Sequence, residues 1–279
     1  MFDRISNGWA LARQSFDVLR LDKEMLVFPL LSGISCIFVL ASFALPMWFT
    51  DAIQVLADDG KLPNNPLAYV VVFAFYFVNY FVIVFFNAAL VACAVIRFSG
   101  GDPTVSDGLN AAASRLPQIL AWSFVSATVG LILKAIESRS EKLGQFAVAL
   151  VGMAWGAATY FVVPVLVVEK LGPIDAVKRS TAILRKAWGE SLAANFGIGF
   201  FVFLACLAAL VPAILGILSG QPALLAIGIT ITVLMWIIIS LVSSALSAIL
   251  LGAIYLYASE GRAPKQFDES LLSHAFERK

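Results

Sequence analysis

SLAANFGIGFFVFLACLAALVPAILGILSGQPALLAIGITITVLMWIIISLVSSALSAILLGAIYLYAS, residues 191–259, runs for 69 positions without an Asp, Glu, Lys or Arg. A helix rises about 1.5 Å per residue and a bilayer core is about 30 Å thick, so one helical span takes about 20 apolar residues. The run therefore holds two spans, and Ser219-Gly220-Gln221-Pro222 supplies a tight turn between them. Shorter uncharged runs at 25–50, 62–96, 116–133 and 143–168 hold one span each. Backbone amides in lipid must be satisfied within the segment, and strands of a membrane barrel would alternate apolar with polar residues, which these runs do not do. The predicted fold is all-α: a polytopic membrane protein of six transmembrane helices, arranged as three hairpins with amphipathic interfacial helices on the cytoplasmic side.

Composition excludes a soluble domain, since 61% of the residues are hydrophobic and 13% charged. Met1 to Arg20 carries charges throughout and lacks the uninterrupted apolar core of a signal peptide, so no cleaved leader is expected. Cys36, Cys93 and Cys206 lie within apolar runs and lack both paired spacing and a nearby His, so they read as small buried hydrophobes.

Basic residues set the orientation. With spans at roughly 25–49, 67–95, 117–136, 146–168, 192–218 and 223–257, fifteen of the 19 Lys and Arg fall in the N-terminal segment, the loops after spans 2 and 4, and the tail. Only Lys61, Lys134, Arg139 and Lys142 lie on the other side. This bias predicts a multi-pass protein with both termini and the two longer loops in the cytoplasm. The organisation read from it is an interfacial helix at 1–24, a membrane domain at 25–258 with surface helices at 103–116 and 173–188, and a cytoplasmic tail at 259–279.

Each cytoplasmic segment has helical periodicity. Phe2, Ile5, Trp9, Ala12, Phe16 and Leu19 recur at steps of three and four and predict a face at the headgroups, with Leu11 and Val18 on the opposite side. Asp102 reads as an N-cap before Pro103, with Val105, Leu109, Ala112 and Leu116 on one face. The third segment sets Ile174, Val177, Thr181, Leu184 and Trp188 beside the basic pairs Lys178 with Arg185 and Arg179 with Lys186, each seven residues apart. Lys178, Arg179, Arg185 and Lys186 are the candidate contacts to anionic headgroups, the alternative being that they are a positive-inside topology signal alone. Pro103 and Pro173 are each followed twelve residues later by Arg, at Arg115 and Arg185, which suggests an internal repeat with a fainter copy at Pro264.

Phe28-Pro29-Leu30-Leu31-Ser32, Tyr160 to Glu169 running into Gly172-Pro173, and Trp188-Gly189-Glu190 resemble an uncharacterised bacterial family of six-span integral membrane proteins, a domain of unknown function. The layout of hairpins and surface helices is also distantly similar to membrane domains attached to glycerophosphodiester phosphodiesterases. The resemblance implies a bacterial plasma-membrane protein and brings no catalytic residues with it.

The spans carry no midplane Asp, Glu, Lys, Arg or His, and the one histidine, His274, is in the tail, so neither ion-coupled transport nor catalysis finds its usual parts. On span 2, Tyr76, Tyr80 and Asn87 fall within about 40° of one another, with Asn79 about 60° to the side. This polar stripe reads as helix glue, each interhelical bond contributing about 0.6 to 2 kcal/mol, or as part of a lipid or solute site. Ser240, Ser243, Ser244 and Ser247 on span 6, and the small-xxx-small pair Gly152 and Gly156 on span 4, read as packing positions. Pro29, Pro46, Pro164 and Pro212 should kink or end their spans. The expected function is non-enzymatic, interacting with lipids and organising or scaffolding the membrane. The alternatives are an uncoupled transporter, channel or flippase, and an accessory subunit. Expected partners are anionic membrane lipids, with a second copy or another membrane protein as the alternative. No nucleic acid, metal or cofactor is expected.

Overall fold

A backbone amide in lipid finds a partner only within its own helix, and the uncharged runs accordingly fold as long helices. The computed structural model describes residues 2–49, 66–139, 142–261, 263–269 and 271, and for 2–7, 47, 49, 66–68, 138–139, 142–143 and 186–198 it describes the backbone alone. Among the described residues the order is α1 (Phe2–Leu21), a 3-10 turn (Lys23–Leu26), α2 (Val27–Phe49), α3 (Pro66–Phe98), α4 (Val105–Ala113), α5 (Leu116–Arg139), α6 (Lys142–Ala158), α7 (Val162–Val168), α8 (Pro173–Ala208), α9 (Val211–Leu218) and α10 (Pro222–Glu260). Six segments are long and apolar enough to cross a membrane: Lys23–Pro46, Tyr69–Phe98, Leu116–Glu137, Gly144–Val168, Gly199–Leu218 and Pro222–Glu260. They match the six expected spans.

Two spans are broken. Residues Thr159 to Phe161 separate α6 from α7, and Ala209 with Leu210 separate α8 from α9. Pro164 and Pro212 explain both breaks, because each lacks an N–H and its ring crowds the carbonyl four residues earlier, at Tyr160 and Ala208. Pro46, in contrast, stays inside α2 near its end.

Helix ends follow local chemistry. The end of α3 is closed by Gly100 at φ 88°, with Gly100 N donating to the Arg97 oxygen and Gly101 N to the Ile96 oxygen, both at 3.0 Å. These are the paired bonds of a Schellman ending, which favours glycine at the left-handed position. The N-cap of α4 is Thr104, not the expected Asp102. The Thr104 hydroxyl accepts from Asp107 N at 3.2 Å and the Asp107 carboxylate accepts from Thr104 N at 2.9 Å, a reciprocal capping box. Pro103 thus precedes its helix, whereas Pro173 is the first residue of α8, so the two prolines of the proposed repeat occupy different local positions. The segment read as a surface helix at 173–188 continues unbroken through Ala208 as a single 36-residue helix.

Chain contacts divide the molecule into two units, Met1–Pro29 with Ala94–Pro103 and Lys186–Lys279, and Leu30–Cys93 with Thr104–Arg185. In the first, the second half of α10 forms the core through Ala245, Ala248, Ile249, Leu250, Ala253, Ile254 and Tyr255, all buried. Helix α1 packs in this unit through Gly8, Leu11, Ala12, Ser15, Val18 and Leu19, while Trp9 and Phe16 are exposed. The face buried in protein is the Leu11 and Val18 side, and Ala12 and Leu19 of the stripe expected at the headgroups are buried with it, while the Phe2 and Ile5 side chains lie outside the described residues. Ser15 is tolerated in that face because its hydroxyl donates to the Leu11 oxygen at 2.9 Å. Helices α9 and α10 form a close antiparallel hairpin. A Cβ at Gly228 would lie 2.3 Å from the Pro212 oxygen, and one at Gly216 would lie 2.8 Å from the Leu224 oxygen. Further along the hairpin, Trp236 Nε1 donates to the Cys206 oxygen at 3.1 Å.

In the second unit, buried Ala88 to Cys93 of α3, Ile119, Trp122, Ser123, Ser126 and Ala127 of α5, and Val162, Val165 and Leu166 of α7 form the core, with Ala176, Ser180, Ile183 and Leu184 of α8 also buried. The Trp122 and Trp155 rings stack at 6.0 Å, and Phe124 meets Phe73 edge-on at 5.3 Å.

Candidate functional site

Uncharged runs put charges at helix ends, and in the first unit those charges close on one another. Arg97, in the last turn of α3, grips the Asp22 carboxylate with Nε and Nη2 and also donates to Asp102. The Asp22 side chain is 5% exposed and that of Arg97 18%, whereas Asp102 is 92% exposed. The Arg97 backbone oxygen accepts from Gln266 Nε2 at 3.1 Å, and the Phe98 and Phe267 rings meet edge-on at 5.7 Å. Asp268 N donates to the Gln14 side chain at 3.3 Å. This knot ties the end of α1, the end of α3 and the segment after α10 together. It commits Arg97 to two carboxylates, so Arg97 serves as a clasp and offers no fork to a ligand. The sequence held one signal of it, the charges placed directly beside apolar runs.

The four basic candidates of α8 are in different situations. Arg179 Nε donates to both carboxylate oxygens of Glu169, at 2.8 and 3.0 Å. Lys178 is exposed and pairs with exposed Asp175 at 3.2 Å, a contact that contributes little in water. Arg185 is exposed, and the Lys186 and Trp188 side chains lie outside the described residues. The buried face of this segment is Ala176, Ser180, Ile183 and Leu184, so of the expected apolar face only Leu184 is buried, Val177 and Thr181 are half-buried, and Ile174 is 70% exposed. Ser180 has a task that the sequence did not reveal. Its hydroxyl oxygen accepts from Phe161 N at 3.0 Å, satisfying an amide freed by the break between α6 and α7.

The intramembrane stripes are only loosely engaged. Tyr76, Asn79, Tyr80 and Asn87 are all half-buried on α3, and the Tyr76 and Tyr80 rings lie 6.5 Å apart. Asn79 Nδ2 donates to the Phe75 oxygen of its own helix at 2.9 Å, and a Cβ on Gly130 of α5 would meet the Tyr80 hydroxyl at 3.8 Å. Gly152 touches only a methyl of Leu133, at 4.0 Å from an added Cβ, and Gly156 has nothing within 4 Å. Ser240 and Ser244 are exposed while Ser243 and Ser247 are half-buried, and the small residues buried along this stretch are instead Ala245, Ala248 and Gly252, where an added Cβ would lie 3.6 Å from the Phe98 ring. His274 lies outside the described residues. Among the described residues no group of His, Cys, Asp and Glu is arranged to hold a metal ion.

An all-helical chain with six helices of this length and apolarity is a multi-pass membrane protein. Within that class it belongs to a family of unknown function, DUF6159, whose model matches residues 67–265, from the start of α3 to Lys265 after α10. No curated protein matches the chain.

Proposed function

We propose that the protein is a non-enzymatic component of a bacterial plasma membrane, with both termini cytoplasmic, that binds anionic lipid and organises or scaffolds the bilayer around it. The observation that carries this reading is the exposed line Ile174, Lys178 and Arg185 on α8, ahead of the uncharged run that begins at Ser191. These positions fall within about 40° of one another on a helix, so an apolar side chain and two cations share one strip, the pattern of an interfacial helix meeting anionic headgroups. Arg179, held by Glu169, is assigned to the fold. The test is K178Q/R185Q, purified at matched salt with its co-purified lipid quantified by mass spectrometry. Anionic lipid should fall while the helical content stays that of the parent, and retention equal to the parent would refute the site.

Orientation rests on the fifteen-to-four division of basic residues. Glu269 is exposed, so E269C should react with an impermeant thiol reagent only after the membrane is opened. Reaction in intact cells would reverse the topology. The broken spans 4 and 5 favour a second reading, an uncoupled transporter, channel or flippase, because discontinuous helices line substrate sites in many transporters. Solute or lipid flux through proteoliposomes of the purified chain separates it from the first.

A further inference from the structure

Helix α1 buries Leu11, Ala12, Ser15, Val18 and Leu19, and this orientation leaves Trp9, Arg13, Phe16 and Arg20 exposed. At 100° per residue the four lie within about 60° of one another, so aromatic ring and guanidinium alternate along a single strip. The Arg20 guanidinium carbon stands 5.8 Å from the centre of the Phe16 ring, a cation-π contact that orients its fork. The Trp9 ring lies 4.3 Å from that of Phe201, a residue of the uncharged run 191–259. A tryptophan packed on a spanning segment, with the guanidinium of Arg13 exposed one turn further along the same strip, suits the boundary between headgroups and acyl chains, where its amphipathic ring is favoured. Asp17 is also exposed, about 80° from Trp9, and leaves the exposed turn with a net positive charge.

We infer that the strip Trp9, Arg13, Phe16 and Arg20 is a binding surface for the phosphodiester headgroups of anionic phospholipids. Trp9 and Phe16 rest at the acyl boundary, and the Arg13 and Arg20 forks hold phosphate oxygens, which guanidinium matches in a bidentate way that ammonium does not. The inference rests on the lipid-binding reading above but uses different residues from Lys178 and Arg185, so the two sites can fail separately.

The test titrates the full chain in detergent with phosphatidylglycerol or phosphatidylcholine and follows bound lipid by native mass spectrometry. R13Q/R20Q should weaken phosphatidylglycerol binding roughly tenfold or more and leave phosphatidylcholine unchanged, as expected for two cations at an anionic surface. W9A/F16A should weaken both lipids. Glycerol 3-phosphate should not displace phosphatidylglycerol at equal concentration, and if it does, the surface reads a soluble phosphate ester and the lipid assignment falls. If R13Q/R20Q binds like the parent while K178Q/R185Q does not, the α8 site stands and this strip is overturned. If neither variant differs from the parent, both are overturned. Should R13Q/R20Q fail to fold, R13K/R20K keeps the charge without the fork and is expected to lose part of the binding, and binding equal to the parent would overturn the phosphate clamp.

Discussion

Asp22 and Arg97, 75 residues apart in sequence, form a two-toothed ion pair in which the carboxylate is almost wholly buried. Removing one partner of a buried pair strands the other charge, at a cost of about 3 kcal/mol or more. Asp22→Asn should therefore lower the melting temperature markedly, and Arg97→Gln more so, because it strands a carboxylate rather than a guanidinium still served by Asp102. The double variant should recover part of the loss. Thermal unfolding of the four proteins in one detergent completes the cycle, and additive effects would show that the pair is not coupled.

Glycine substitutions separate real contacts from spacing motifs. Alanine in a helix is normally better than glycine by about 0.5 to 1 kcal/mol. At Gly228 the added methyl meets the Pro212 carbonyl at 2.3 Å and at Gly216 the Leu224 carbonyl at 2.8 Å, backbone atoms that cannot rotate away. Gly228→Ala and Gly216→Ala should therefore push the α9–α10 hairpin apart and lower stability, whereas Gly156→Ala, in open space, should be neutral or stabilising. The order is read from melting temperatures of the three variants.

This contrast shows what was legible in the sequence. The six spans were readable because lipid imposes a length and forbids charge, and both demands are local. The Gly152 and Gly156 pair matched a spacing rule, but spacing names no partner, and Gly228 acquires meaning only when the antiparallel register brings Pro212 against it. Hydrophobic periodicity likewise sets Ala12 and Leu19 in one stripe with Trp9 and Phe16, yet only Ala12 and Leu19 of these four pack on protein, beside Gly8 and Ser15, small residues that carry no apolar signal. The basic residues were found, but their partners Asp22 and Glu169 stand 75 and 10 residues away, and a pairing of that kind depends on the tertiary fold.

Ser180→Ala should destabilise the second unit. It leaves the Phe161 N–H buried with no acceptor, which costs about 1 to 3 kcal/mol. Ser180→Thr keeps the acceptor and should retain more stability than the alanine variant, unless the extra methyl is refused at this fully buried position. Hydrogen exchange at the Phe161 amide reads the bond directly, and unchanged protection in the alanine variant would remove Ser180 from this role.

The capping box of α4 gives a pH dependence with a definite sign. The Thr104 hydroxyl and backbone N–H, both bonded to the Asp107 carboxylate, hold its pKa below the usual aspartate value. A depressed folded pKa means that the charged form stabilises the folded state: the contribution is complete above the unfolded aspartate pKa and is lost as pH falls through the lower folded one. Protection of the amides at the start of α4, corrected for intrinsic exchange, should be constant near neutral pH and decline in acid. Asp107→Asn, which cannot titrate, should abolish that decline, and Thr104→Ala should shrink it by removing the hydroxyl that donates to the Asp107 carboxylate. A decline of the same size in Asp107→Asn as in the parent would assign the acid sensitivity to another group.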